Sequence, residues 1–201
     1  TVLVTAGTYN ENINFNGKNI AVIGEDRETT IIDGSGTSYN MVTLQGVNRT
    51  TLLKGFTIRY GNYGEPGTVL ISQGSHPTLS DLIIENNTCE NCEGGGIFIN
   101  DNSSSIISNC IVRDNSATRG GGIFIQDATV TIYDSEILSN SSTQFGGGLF
   151  SDNSTLIISN SIISNNDSDG DEINANLGEC IELPFAADID NDGICDDIDD
   201  C

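Results

Sequence analysis

The stretch "GGGIFI" at Gly94–Ile99 returns as "GGGIFI" at Gly120–Ile125 and as "GGGLFS" at Gly146–Ser151. With a further start at Gly67, the spacings are 27, 26 and 26 residues. A period of this length belongs to solenoids, in which each turn repeats one supersecondary unit. After each restart come short β-rich runs set off by Gly, Asn, Asp and Ser: "SSIIS" and "CIVRDN", then "TVTIY" and "EILSN", then "TLIIS" and "SIISNN". Such runs are too short for helices and too closely spaced for crossover helices, so each rung supplies about three strands.

Alternation of period two sorts the residues of each run into inward and outward sets. The expected inward columns are Ile97, Ile123 and Leu149; Ile99 and Ile125; Ile106, Ile132 and Ile158; and Val112, Ile137 and Ile163. One rung cannot bury its apolar edge, but rungs stacked about 4.8 Å apart bury a continuous column. Asn87, Asn115, Asn140 and Asn166 each fall three residues after an inward Ile84, Val112, Ile137 or Ile163. They are expected at a left-handed corner, with amides bonded from rung to rung. The leading glycines permit the turn that opens a rung. Cys110 falls in the inward column of Ser135 and Ser161 and reads as a small buried residue. The earlier rungs are less regular, with Phe56 and Ile58 in the columns of Leu82 and Ile84. The expectation is an all-β parallel β-helix solenoid of roughly seven rungs over residues 1–170.

The segment "VLVTAGTYNENINFNGKNIAVIGEDRETTIIDG" resembles the opening rungs of right-handed parallel β-helix proteins of the pectin-lyase-like superfamily. The pairing of "GGGI" with "ILSN" at Ile137–Asn140 is similar to the paired repeats of polymorphic outer membrane proteins. The resemblance implies a right-handed superhelix. That fold hosts lyases, hydrolases, esterases and adhesins, so it implies no single activity.

Seven Lys plus Arg against 29 Asp plus Glu give a net charge of −22. Such a chain repels phosphate backbones and anionic membranes and attracts cations, calcium first among them. It has no basic patch interleaved with aromatics and no apolar run long enough to span a bilayer, so neither nucleic-acid binding nor membrane insertion has support. Six Cys with one His fit a disulfide-permissive, extracellular location better than a zinc site. The chain starts at Thr1 without Met and ends at Cys201 inside a motif, so a piece of a larger secreted or surface protein with neighbouring domains is expected.

The sharpest chemical motif is "DIDNDGICDDIDDC" at Asp188–Cys201, after a junction at residues 171–187. Asp188, Asp190 and Asp192 alternate so that three carboxylates converge on one hard cation, and Gly193 allows the loop to turn. Asp196, Asp199 and the backbone carbonyl near Ile194 complete an oxygen set suited to calcium. The pattern is similar to the thrombospondin type 3 repeat, which implies a wrapped, disulfide-pinned calcium segment. "DSDGDE" at Asp167–Glu172 is a shorter acidic loop, read as loop capping or a second calcium site, and Leu183 and Phe185 are placed to pack on the last rung. Three pairings are open to Cys180, Cys195 and Cys201, with Cys180–Cys195 favoured; Cys89 and Cys92 in "CENC" read as a corner disulfide or a redox pair.

Two columns carry the candidate chemistry. Phe98, Phe124 and Phe150 alternate with inward residues and form an outward aromatic stripe, either stacked on sugar rings or covered by protein. Asp101, Asp127 and Asp152 follow that strand one per rung, as turn formers or as the carboxylates that glycoside hydrolysis requires. No Ser-His-Asp or Cys-His set can be assembled, and Arg113 and Arg119 are the only cations of the regular rungs. The expected function is a calcium-stabilised structural or adhesive module facing a polysaccharide or cell-surface ligand. The alternative is a polysaccharide lyase or glycoside hydrolase.

Overall fold

A computed structural model describes residues 1–35, 40–62 and 66–168. The described chain is strand, turn and bend throughout, and it winds as a parallel β-solenoid. The rung of the second "GGGIFI" shows the plan. Ile123–Gln126 lies in a six-stranded sheet, Thr129–Tyr133 and Glu136–Leu138 lie in a twelve-stranded sheet, and Ser141–Phe145 lies in a three-stranded sheet. Among the described residues every strand pairs in parallel with the rung before or after it. The main path of the twelve-stranded sheet crosses seven strands, but the opposing sheet holds six, so the coil completes about six turns where roughly seven rungs were expected.

The core is the set of columns that alternation predicts. Ile97 pairs with Ile123 and Ile123 with Leu149; Ile99 pairs with Ile125; Val112 pairs with Ile137 and Ile137 with Ile163. Phe56 and Ile58 lie beside Leu82 and Ile84. One column is displaced from expectation. The partner of Ile132 is Ile107, not Ile106. Ile107 is buried and Ile106 is 38% exposed. The reason is a rung one residue short: Ile107 precedes Ile132 by 25 residues, and with a period of two a one-residue error turns a side chain to the opposite face.

The corners are left-handed but the ladder asparagines are not. Positive φ falls on the residue before each, at Asn86, Asp114, Ser139 and Asn165, with values of 55°, 54°, 53° and 56°. Short polar side chains tolerate that conformation, and the asparagine that follows is thereby swung into the interior. No helix among the described residues is long and apolar enough to cross a membrane.

Candidate functional site

The interior polar feature is the asparagine ladder. Asn87, Asn115 and Asn140 are buried. Each side-chain oxygen accepts from the previous rung: Asn87 Nδ2 donates to Asn115 Oδ1 at 2.8 Å, Asn115 Nδ2 to Asn140 Oδ1 at 3.0 Å, and Asn140 Nδ2 to Asn166 Oδ1 at 3.0 Å. The backbone N–H of each donates to the same oxygen. Each amide also donates backwards to a backbone carbonyl, that of Ile58, Ile84, Val112 or Ile137. Satisfied in this way, a buried amide stabilises a single rung-to-rung register.

The aromatic column is stacked, and it is not the open stripe considered above. Ring centroids of Phe98 and Phe124 are 5.4 Å apart and those of Phe124 and Phe150 are 5.3 Å apart. Phe98 and Phe124 are buried, at 6% and 1% exposure. The chain covers them itself. Gly94, Gly120 and Gly146 hold φ of 68°, 61° and 63°, and a Cβ at each would sit within 3.0 Å of the Cβ of the Phe in its own rung. The "GGG" turn therefore lies on the ring column. The Arg119 guanidinium lies 5.2 Å from the Phe124 centroid and forms a 2.6 Å ion pair with Glu93. Only at the C-terminal end does the column open, where Phe150 is half-buried beside an exposed Phe145 at 6.0 Å.

The three acids do not form one column. Asp101 and Asp127 are both left-handed and exposed, but Asp152 pairs with Gln126, which places Asn153 in the next position of their line. Asn153 Nδ2 donates to Asp127 Oδ1 across the rungs. The same arrangement recurs at a second corner, where Asn109 donates to Asp81 and Asn160 to Asp134. Asp81, Asp127 and Asp134 are turn residues whose carboxylates accept amides from neighbouring rungs. Three of the arginines are engaged likewise: Arg59 with Asp33, Arg113 with Glu85, and Arg119 with Glu93. Burial pushes the Asp33 carboxyl up, but hydrogen bonds from Ser35 and Arg59 outweigh it and hold the pKa below its ordinary value. The Glu85 bond raises that of Arg113.

Cys89 and Cys92 form a disulfide with Cα atoms 5.4 Å apart, at a corner. Burial pushes the Cys110 thiol up to about 12. Its backbone N–H donates to Ser135 Oγ, whose own rung repeats the bond to Ser161. A thiol held neutral in this way is inert. Cys180, Cys195, Cys201 and the calcium set Asp188, Asp190, Asp192, Ile194, Asp196 and Asp199 lie outside the described residues, as do Leu183, Phe185 and the acidic loop after Ser168.

The three-stranded sheet carries an open cleft of about 520 Å³. Its lining includes Thr88, Ser116, Ser141 and Asp167, which pair in series from rung to rung, together with Thr143 and the loop residues Glu90 and Asn91. The loop exists because six residues lie between Asn87 and Gly94, where four lie between Asn115 and Gly120; the disulfide pins that excess at one end of the cleft. Sequence reading missed this row. Its signal was present, since each member immediately follows a ladder asparagine.

A family model described as "Right handed beta helix region" matches residues 40–182. Comparison with curated proteins and with solved structures returns no match.

Proposed function

The chain belongs to the right-handed β-helix family, and we propose that it is a rigid extracellular module that presents an extended surface for adhesion, followed by a calcium-binding exit segment. The observation that carries this reading is where the polar groups are spent. The ladder amides, the corner acids Asp81, Asp127 and Asp134, and Arg59, Arg113 and Arg119 all bond between rungs, which stiffens a rod and leaves those groups committed to structure. The corner disulfide supports an extracellular setting. For the exit segment, the oxygen-only donor set Asp188, Asp190, Asp192, Asp196, Asp199 and the Ile194 carbonyl suits calcium.

The cleft favours a glycan as the adhesive ligand. Its row of Thr and Ser hydroxyls offers donors and acceptors without a basic group, which suits a neutral polysaccharide and disfavours a polyanion. The test is incubation of the full chain with neutral and acidic polysaccharides in calcium, following both retention and new chain ends. Retention of a neutral polymer without cleavage, lost in Ser141→Arg, is the expected result. Cleavage abolished by Asp127→Asn would replace this reading with that of a lyase or hydrolase, and failure to retain any polymer would remove the adhesive role.

A further inference from the structure

One outward face of the regular rungs carries no charge. On the strands Ser104–Ser108, Thr129–Tyr133 and Thr155–Ser159 the inward positions are Ser105 and Ile107, Val130 and Ile132, and Leu156 and Ile158. The alternate positions point outward and pair from rung to rung in three columns. These are Ser104, Thr129 and Thr155; Ile106, Thr131 and Ile157; and Ser108, Tyr133 and Ser159. Thr78 and Ser80 extend the second and third columns by one rung. None of these residues is Asp, Glu, Lys, Arg or His, on a chain of net charge −22. Ile106, Tyr133 and Ile157 are 38%, 38% and 43% exposed. The hydroxyls of Ser104, Thr129, Thr131, Thr155 and Tyr133 have no partner among the described residues, whereas the ladder amides and the corner acids are committed between rungs.

The borders of the face decide what it can meet. Asp101, Asp127 and Asp152 precede its strands, and Asp81 and Asp134 follow them. An apolar centre inside a polar rim marks an interaction surface. The acids repel a polyanion. A second copy seated here about a two-fold axis would set acids against acids and bring two chains of charge −22 together. A basic protein would find no carboxylate within the face, and those of Asp127 and Asp134 already accept amides.

We propose that this face docks on the surface of an ordered, insoluble, neutral polysaccharide. The Tyr133 ring and the side chains of Ile106 and Ile157 lie on the C–H faces of sugar rings, and the Thr and Ser hydroxyls exchange hydrogen bonds with sugar hydroxyls. Rungs about 4.8 Å apart, with outward residues about 6–7 Å apart along each strand, make a flat grid suited to polymer chains lying side by side. The cleft of the three-stranded sheet is concave and takes a single chain. The assignment extends the adhesive reading but does not rest on the cleft.

Binding of the full chain to microcrystalline cellulose and to insoluble chitin, read as its loss from the supernatant, tests this. At least one of these solids is expected to remove the chain, undiminished in about 0.5 M sodium chloride, where surface charges are screened. Thr131→Glu, which sets an unpaired charge at the centre of the contact, and Tyr133→Ala, which removes the ring, are expected to weaken binding by about tenfold while the circular dichroism spectrum is kept. Ser141→Arg, in the cleft, is expected to leave binding to the solid unchanged. Failure to bind either solid, or undiminished binding by both folded variants, would overturn the proposal and leave the cleft's soluble ligand as it was. Loss of binding in Ser141→Arg would move the solid to the cleft. A dimer of the unaltered chain in sedimentation velocity that dissociates in Thr131→Glu would overturn the proposal in favour of a second copy.

Discussion

Replacing Asn115 with Ala tests whether the ladder holds the rungs in register. The side chain takes part in four hydrogen bonds: its oxygen accepts from the N–H and Nδ2 of Asn87, at 3.1 and 2.8 Å, and its nitrogen donates to the Ile84 carbonyl and to Asn140 Oδ1, at 2.9 and 3.0 Å. Two of the partners keep another bond. Asn87 Nδ2 still reaches the Ile58 carbonyl, and Asn140 Oδ1 still accepts from the Asn115 backbone. The Asn87 N–H and the Ile84 carbonyl lose this partner in a buried setting. Each such loss costs about 1–3 kcal/mol, so the variant is expected to be destabilised by about 4 kcal/mol.

The last asparagine is the internal comparison. Asn166 makes the same kinds of bond, to the Asn140 N–H and Nδ2 and to the Ile137 carbonyl, but it is only half-buried and water can replace it. Asn166→Ala is expected to cost about 1 kcal/mol. Urea unfolding followed by far-ultraviolet circular dichroism gives both values, provided the m-values agree. Equal losses at Asn115 and Asn166, or a loss below about 1 kcal/mol at Asn115, would refute the claim that the buried ladder stabilises the stack.

Phe124→Ala opens a void between two stacked rings and is expected to destabilise by about 3–5 kcal/mol, with polysaccharide retention per folded molecule unchanged; a folded variant with lost retention would return the ligand to the aromatic column. Gly120→Ala forces a Cβ to within 2.6 Å of the Ile123 carbonyl at a φ of 61°, so it should lower the melting temperature, whereas Gly74→Ala, with open space around it, carries only the cost of its φ. Cys110 gives a pH signature with a definite sign. Its folded pKa lies at about 12, against about 8.5 in an unfolded chain, so its contribution to stability is intact below about pH 8.5 and declines as pH rises through that interval. The slope is about 1.4 kcal/mol per pH unit. Cys110→Ser, the residue its column already uses, should unfold with a shallower alkaline slope by that amount. Chelating calcium should loosen the chain after Asn174 while the β-helix stays folded, as read by limited proteolysis and circular dichroism; cooperative loss of the whole coil would show that the metal supports the solenoid itself.

What the sequence disclosed and what it concealed divide along one physical line. The repeat of "GGGIFI", the inward Ile columns and the asparagine ladder were legible because each is enforced once per rung by the same local requirement, and repetition multiplies the signal. Ile106 was misassigned because a single rung is one residue shorter, and no pattern of polarity separates "SSIIS" read from its first Ile or its second; only the pairing to Thr131 and Ile132 decides it. The aromatic column could be aligned but not exposed or covered by alternation alone. Its cover depends on glycines four residues away, whose left-handed turn lays backbone on the rings, a contact of the tertiary path and not of the strand. The acid line broke for the reason that moved Ile106: Asp152 comes 25 residues after Asp127, one short of the local spacing, and an Asn took the corner instead. A corner that accepts Asp or Asn alike requires only a short side chain tolerant of positive φ. That tolerance argues that the carboxylates at 101 and 127 are there for backbone geometry, which is why the proposed glycan contact is placed where the chain departs from its own repeat, at the disulfide loop beside the hydroxyl row.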